Sequence, residues 1–172
     1  ILELYNQYPI KELTVHPRIR ADFYKAPVKM DAFRYALAHS KNPLCYNGDI
    51  TTLKDLDRLL ETYPETDAVM VGRGCVTNPA LIRTFERGTP LTLPEFQEYE
   101  SRLFECYSTI LSGDRHILFR MKELWNYFIC LFPDSRKQMK TLRKSQTCSE
   151  YRDAVQRLYR ECPFDPSIGF AP

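Results

Sequence analysis

The sequence lacks several features that would place it in common classes of protein. No apolar run approaches the roughly 20 residues of a membrane-spanning helix, and no basic segment followed by an apolar one forms a secretory leader. The six cysteines include no Cys-x-x-Cys pair, and the three histidines share no metal-ligand spacing with them. We therefore expect reduced thiols in a cytoplasmic protein with no membrane span and no bound metal.

The chain is also too short for one large architecture. Its 172 residues suffice for one domain with an appendage, whereas a complete (β/α)8 barrel typically needs roughly 250 residues. It does not begin with Met and contains no internal repeat, while 44% hydrophobic and 27% charged residues are typical of a globular protein. The sequence therefore looks like a piece of a longer globular protein.

One short apolar run, residues 68–71, ends abruptly in Gly72-Arg73-Gly74. The run predicts a strand buried on both faces. The two glycines would let backbone amides approach an anion, and Arg73 would add a planar charged group. Asn78-Pro79 predicts an N-cap and first helical residue, which would bring a helix N-terminus to the same place. The stretch predicts either a phosphate site or an ordinary strand-to-helix turn.

Two earlier segments, residues 12–16 and the apolar run 43–46, also predict strands, and helical patterns lie before, between and after them. Polar clusters follow these strands: His16 with nearby arginines after the first, and Asn47-Gly48-Asp49 after the second. This alternation predicts parallel βα units with a site at the carboxyl ends of the strands. Taken separately, His16 fits an anion site or a plain loop equally well, and Asn47-Gly48-Asp49 could be a simple turn.

After Gly88 the pattern changes to four helices. The first opens at a Thr92–Glu95 capping box and is predicted to run until Gly113. The second covers about residues 115–131, the third is capped by Asp134 or Ser135, and the fourth begins at Thr147. The predicted inner face of the first helix carries Phe96, Tyr99, Leu103, Tyr107 and Ile110. The second half therefore predicts a four-helix bundle.

The net charge of +2 is small, but its distribution is uneven. Between Arg115 and Lys144 the sequence has eight basic and two acidic residues, an excess of six positive charges. Such an excess fits a surface for a polyanion, and it also fits a set of solvated helix faces.

Taken in order, these motifs resemble the tRNA-dihydrouridine synthase family. The segments that carry the resemblance are Leu13-Thr14-Val15-His16-Pro17-Arg18-Ile19-Arg20 with Tyr24, Asn47-Gly48-Asp49-Ile50, Val69-Met70-Val71-Gly72-Arg73-Gly74 with Asn78-Pro79, and Phe119-Arg120-Met121-Lys122-Glu123-Leu124-Trp125 with Leu142-Arg143-Lys144. The chain has Pro17 and Ile19 where the family usually has Gly and Thr. The resemblance implies the last three strands of a TIM barrel in residues 1–92, followed by a helical tRNA-binding domain in residues 93–172.

The resemblance also implies an activity, in which FMN reduces uridine in tRNA to 5,6-dihydrouridine and NADPH reduces the flavin. It assigns a cofactor-binding role to His16, Asn47, Gly48, Asp49, Gly72 and Arg73. It assigns Arg18 to the FMN or RNA surface, with RNA binding as the favoured role, and assigns tRNA contacts to Arg120, Lys122, Arg136, Lys137, Lys140, Arg143 and Lys144.

The family's catalytic cysteine lies in an Asn-x-Gly-Cys-Pro motif, and no Gly-Cys-Pro occurs in this sequence. We therefore expect that cysteine upstream of Ile1, name no catalytic residue in the chain, and expect the chain alone to be inactive. Three barrel strands would leave two unpaired edges, so we also expect the chain to associate with copies of itself. Two alternatives remain: a non-catalytic RNA-binding module, and another FMN- or phosphate-binding barrel enzyme.

Overall fold

A computed structural model describes residues 1–22 and 26–170 of the chain. Tyr24, which belongs to the first motif, lies outside these residues. The strands are β1 (Leu13–Val15), β2 (Leu44–Asn47) and β3 (Ala68–Met70). The α-helices are α1 (Leu2–Tyr5), α2 (Met30–His39), α3 (Leu53–Thr62), α4 (Arg73–Thr77), α5 (Leu81–Arg87), α6 (Leu93–Ile110), α7 (Asp114–Phe128), α8 (Arg136–Lys144) and α9 (Cys148–Glu161), and two 3-10 helices cover Arg20–Asp22 and Ile129–Leu131.

The chain divides into two compact units, Ile1–Arg73 and a second that begins at Gly74. The first unit holds the sheet and the second holds α5 to α9. The domain boundary between residues 92 and 93 stays a prediction. No helix in the described parts of the chain is both long and apolar enough to cross a bilayer.

The sheet of the first unit is parallel, with the strand order β1-β2-β3. Val15 pairs with Tyr46, and Asn47 pairs with Met70. These pairings confirm the predicted parallel βα units. Because parallel strands end at the same side of a sheet, the segments after β1, β2 and β3 come together there.

Burial of the strands differs from the prediction at β3. Only β2 is fully buried over Leu44, Cys45 and Tyr46, whereas β3 is partly buried at its first two residues and exposed at Met70. The prediction that β3 is buried on both faces was therefore wrong. The reason is its position, because among the described residues β3 pairs with β2 alone.

Two helices of the second unit start at their predicted caps: Thr92 caps α6 in a box with Glu95, and Thr147 caps α9. In the first unit, Thr52 caps α3 in a box with Asp55. The predicted cap at Asn78 was wrong, since α4 begins earlier, at Arg73, and α5 begins later, with Ala80 as its N-cap. Asn78 instead accepts a hydrogen bond from the Ala80 amide at 2.9 Å through its side chain, which shapes the turn between the two helices.

Two further helix ends differ from the sequence prediction. α6 ends at Ile110, three residues before Gly113, and Gly113 becomes the N-cap of α7 with φ 82°. Ser135 is the N-cap of α8, but its hydroxyl donates to the Phe132 carbonyl and caps no helix amide.

Helices α6 to α9 of the second unit share one hydrophobic core. Trp125 and Phe128 of α7 are fully buried beside Phe96 of α6, and the Phe96 and Phe128 rings meet edge to face at 5.2 Å. Met139 and Leu142 of α8 are buried as well. Dense aromatic packing of this kind supplies most of the apolar area that a small helical unit can bury.

The inner face of α6 was only partly predicted. Phe96 is buried and Ile110 is exposed, whereas Phe104 and Glu100, which the pattern did not include, lie in the core. The buried residues follow a spacing of four along α6, a stripe that hydrophobicity alone cannot reveal because its middle member is a carboxylic acid.

Glu100 is held by a buried network of hydroxyl groups. Tyr151 donates a hydrogen bond to one carboxyl oxygen, Tyr159 donates to the other at 3.4 Å, and the Trp125 indole donates to the Tyr151 oxygen at 2.7 Å. Burial raises the pKa of the Glu100 carboxyl, and the hydrogen bonds from the two tyrosines oppose that effect only in part. Burial is also the main cause that raises the pKa of the Tyr151 hydroxyl well above its usual value.

We expect Glu100→Gln to alter how stability depends on pH. Since the folded-state pKa of Glu100 is raised, the folded state binds more protons than the unfolded state above the usual glutamate range, and stability falls as pH rises there. At high pH, the free energy of unfolding falls by about 1.4 kcal/mol for each pH unit by which the folded-state pKa of Glu100 exceeds its unfolded-state pKa. Urea unfolding followed by Trp125 fluorescence at about pH 4 and about pH 8 should show wild type losing stability relative to Glu100→Gln.

The matched control is Glu105→Gln, an exposed glutamate on the same helix. It should keep the pH dependence of wild type. Equal pH profiles for wild type and Glu100→Gln would contradict the raised pKa.

Candidate functional site

The segments after the three strands enclose a cavity of about 250 Å³ in the first unit. Ile50 and Thr51 form part of its wall. All six residues to which the sequence assigned cofactor binding also line it: His16, Asn47, Gly48, Asp49, Gly72 and Arg73. Residues 16 and 73 are far apart in sequence, and the parallel register of the sheet brings them to one place.

Asp49 is the centre of this site. One carboxylate oxygen accepts from Arg73 at 2.6 Å, and the other accepts from Arg18. The side chain of Arg18 is only 5% exposed, against 37% for Asp49 and 23% for Arg73. Arg18 also donates to the Ala26 carbonyl. A single carboxylate therefore joins the segments that follow all three strands.

This geometry changes the interpretation of Arg18. The resemblance assigned Arg18 to the FMN or RNA surface, but its guanidinium is buried and engaged with Asp49 and the Ala26 carbonyl. A buried arginine in this position cannot present its charge to an RNA backbone without breaking the pair. The structure favours a role in positioning Asp49, and the sequence offered no signal for that pairing.

Gly48 fills a position where no side chain fits. A Cβ atom there would overlap the Tyr46 hydroxyl and lie 2.5 Å from ring carbon Cζ. Tyr46 cannot easily move aside, because it is buried and packs edge to face on Phe33 at 4.8 Å. Burial, assisted by the nearby Asp49 carboxylate, raises the pKa of Tyr46 to about 12. The hydroxyl is therefore neutral at physiological pH.

Gly72 differs from Gly48, since a Cβ atom built on it meets no atom of residues 1–22 and 26–170 within 4 Å. The space that this Cβ would enter is open, and Gly72 lines the cavity. A glycine in such a position leaves room for a ligand to approach the backbone.

His16 and Asn47 complete the wall of the cavity. The His16 Nδ1 atom lies 2.7 Å from the Asn47 carbonyl oxygen, a hydrogen bond that fixes the ring over the end of β2. The Asn47 side-chain amide donates to the Met70 sulfur at 3.0 Å. The two residues therefore hold the ends of β1, β2 and β3 at one level.

The basic residues assigned to RNA lie mainly on α8, and all of them are in the second unit apart from Arg18. Arg120 on α7 pairs with Glu123 at 3.1 Å. Lys122 donates to the Ser145 carbonyl, and burial lowers the pKa of its ammonium group. The remaining five residues occupy exposed positions of α8: Arg136, Lys137, Lys140, Arg143 and Lys144.

The cysteines and the potential metal ligands offer no further candidate site in the described residues. All six cysteines are free thiols, and burial raises the pKa of the Cys75 thiol, which disfavours a reactive thiolate. Within residues 1–22 and 26–170, no group of three or more His, Cys, Asp or Glu side chains could hold a metal ion.

Substitutions should separate the contributions of the two ion pairs of Asp49, one with Arg18 and one with Arg73. Asp49→Ala should cost about 2–3 kcal/mol in the first unit, because it leaves the buried Arg18 guanidinium without its carboxylate. Arg73→Ala should lower the free energy of unfolding by less than about 1 kcal/mol, because the Arg73–Asp49 pair is more exposed than the Arg18 guanidinium and the Arg18–Asp49 pair remains. Amide hydrogen exchange of β2 is the suitable measurement, since the single tryptophan lies in the second unit. An equal cost for both variants would contradict this ranking.

Comparison of the sequence with known proteins points to one family. A sequence model of the dihydrouridine synthase (Dus) family matches residues 2–159. The tRNA-dihydrouridine(16) synthase of Neisseria meningitidis serogroup B is 27% identical over 155 residues, which are 87% of this chain and 46% of the relative. The tRNA-dihydrouridine(20a/20b) synthase [NAD(P)+] of Schizosaccharomyces pombe is 35% identical over 108 residues, which are 62% of this chain and 30% of the relative.

A probable tRNA-dihydrouridine synthase of Rhizobium leguminosarum bv. phaseoli is 39% identical over 70 residues, 41% of this chain and 22% of the relative. The chain thus spans at most about half the length of these relatives. Since the family match covers most of the sequence, the chain belongs to the dihydrouridine synthase family.

Proposed function

We propose that this chain is the C-terminal part of an FMN-dependent tRNA-dihydrouridine synthase, which reduces uridine in tRNA to 5,6-dihydrouridine. The observation that carries the proposal is the cavity at the strand ends, because the six residues assigned to the cofactor all line it. In this proposal the sheet is the last part of a (β/α)8 barrel, residues 1–92 form the barrel portion, and residues 93–172 form a four-helix tRNA-binding domain.

The residues present fit one end of FMN. Open space at Gly72 allows an anion to approach the backbone, and Arg73 beside it supplies a permanent positive charge. The Asp49 carboxylate would repel a phosphate, but two guanidinium groups balance its charge. The cavity of about 250 Å³ is smaller than typical pockets for whole ligands, roughly 300–1,000 Å³. We infer that these residues hold the phosphate end of the cofactor and that other residues hold the rest.

FMN, when bound and reduced by NADPH, supplies the reducing equivalents for the C5–C6 double bond of uracil. The chain's own residues bind and orient: Gly72 and Arg73 hold the phosphate, His16 and Asn47 shape the wall, and Arg18 keeps Asp49 in place. None of the residues described here is assigned the protonation of the uracil ring, and the sequence contains no Gly-Cys-Pro. We therefore propose that this chain alone neither retains FMN tightly nor turns over.

The helical unit is proposed to bind tRNA through the phosphate backbone. In the described part of the chain, none of the five basic side chains of α8 forms an ion pair, and α8 has no acidic residue. Unneutralised basic residues on one helix favour phosphate contacts, whose strength falls with salt. The same observation supports the second candidate, an RNA-binding module without catalysis, for this chain in isolation.

The catalytic proposal is tested by Gly72→Ala in a chain extended upstream of Ile1 by its own reading frame. The added methyl group enters open space, so thermal stability should stay unchanged while FMN affinity falls about tenfold or more through lost anion contact. Bound flavin is measured by absorbance, and dihydrouridine is measured in a tRNA transcript. Gly48→Ala is the matched control, because its methyl group overlaps Tyr46 and should lower stability by about 1–3 kcal/mol.

An extended wild-type protein with neither flavin nor dihydrouridine formation would overturn the catalytic proposal. Salt-dependent tRNA binding without these activities would favour the RNA-binding module. For the 172-residue chain, stoichiometric flavin after purification would contradict the proposed incomplete site.

Self-association is a separate proposal. In the described residues β1 and β3 pair only with β2, so each presents an edge, and exposed strand edges favour pairing with another chain. We expect sedimentation to show dimers or larger species, and Thr14→Lys with Met70→Lys, both at exposed edge positions, to reduce them. A wild-type chain that sediments as a monomer would contradict this.

A further inference from the structure

Phe119 is an unusual residue for the outer surface of a helix. The residue is 66% exposed, whereas Trp125 and Phe128 on the same helix are completely buried. The buried stripe of α7 faces the core through Met121 and Trp125, so the position of Phe119 lies outside it. Packing within the second unit therefore does not explain an aromatic residue here.

Two hydrogen bonds join the Phe119 side of α7 to the end of α8. Lys122 donates to the Ser145 carbonyl at 2.5 Å, and Arg143 donates to the Asn126 side-chain oxygen at 2.8 Å. Phe119, Lys122 and Asn126 follow one another at spacings of three and four, which places them on one face of α7. The Phe119 ring and the C-terminal end of α8 therefore belong to one surface, with Phe119 and Asn126 roughly 10 Å apart along the helix.

The charge of this surface is positive. The last turn of α8 supplies Arg143 and Lys144, and neither forms an ion pair in the described part of the chain. Arg120 lies over the Phe119 ring, with its guanidinium carbon 5.6 Å from the ring centroid. We call Phe119, Arg120, Arg143 and Lys144 the Phe119 surface. It combines an exposed aromatic ring with the charges of Arg143 and Lys144, which form no ion pair in the described part of the chain, whereas Arg120 pairs with Glu123 at 3.1 Å. An exposed ring beside such cations suits nucleic acid with unstacked bases.

We propose that Phe119 is a stacking platform for an unpaired base of a single-stranded RNA segment, while Arg143 and Lys144 contact the adjacent phosphates. The guanidinium of Arg120 extends the platform, because its plane can also stack on a base. This inference rests on the proposed RNA binding of the helical unit and goes beyond it, since phosphate contacts alone need no aromatic residue. Charge complementarity favours RNA over an apolar protein partner, which would gain nothing from the flanking cations.

The test compares Phe119→Ala with wild type in the 172-residue chain. The first probe is a single-stranded oligouridylate of about twelve nucleotides, and the second is an abasic strand of the same length. Loss of the platform should weaken oligouridylate binding about five- to tenfold, leave the abasic affinity unchanged, and leave the salt dependence unchanged. Ile110→Ala is the control, since it removes another exposed apolar side chain from the helical unit, and it should change neither affinity.

A second variant, Phe119→Trp, gives a readout that does not depend on affinity. The native Trp125 is fully buried, so quenching of the added tryptophan on binding oligouridylate reports stacking at this position. We expect quenching with oligouridylate, none with the abasic strand, and affinity at least as high as wild type.

The outcomes separate this inference from the proposed function. If Lys144→Ala weakens both strands and reduces the salt dependence while Phe119→Ala changes nothing, the phosphate surface stands and the platform is overturned. An equal loss of affinity for the oligouridylate and the abasic strand in Phe119→Ala would also contradict the stacking role. Specific binding of an apolar peptide in place of RNA would contradict it as well. If the wild-type chain binds neither strand and no tRNA transcript, the proposed RNA binding and the platform both fail.

Discussion

The first unit depends on one carboxylate. Asp49 accepts from Arg73 with one oxygen and from Arg18 with the other, and Arg18 is almost fully buried. A buried guanidinium is costly without an anionic partner, so the segment after β1 cannot move independently of the segment after β2. Arg73 extends the same constraint to the segment after β3. The cavity keeps its shape because these three segments share a single charge centre.

The two glycines beside this centre serve different purposes. Gly48 is required by packing, because the buried Tyr46 ring occupies the place of any Cβ. Gly72 is not required by packing, because nothing lies near its missing Cβ. The open space at Gly72 is compatible with the anion that the proposed function places beside Gly72 and Arg73. The sequence motifs treat both glycines alike, so only the packing around each one separates the two cases.

In the second unit, a buried polar side chain interrupts the hydrophobic pattern from which the inner face of a helix is predicted. The inner faces of α7, α8 and α9 follow a hydrophobic periodicity that the sequence shows, and they bury Trp125, Leu142 and Tyr151. The periodicity failed on α6, where Glu100 occupies a core position and binds two tyrosine hydroxyls. Those tyrosines come from α9, about fifty residues later in the chain, and no local pattern on α6 indicates them.

The sequence alone determined the parallel βα alternation, the capping box that opens α6 and the polar clusters after the strands that line the cavity. These features depend on local propensity, on hydrophobic period and on the rule that parallel strands end at one side of a sheet. Only the tertiary structure decided that Arg18 is a buried partner of Asp49, that β3 is partly exposed and that Phe119 lies beside the end of α8. Each of these depends on which distant residues come into contact. Burial and ion pairing are properties of the packed chain, so short sequence patterns carry no record of them.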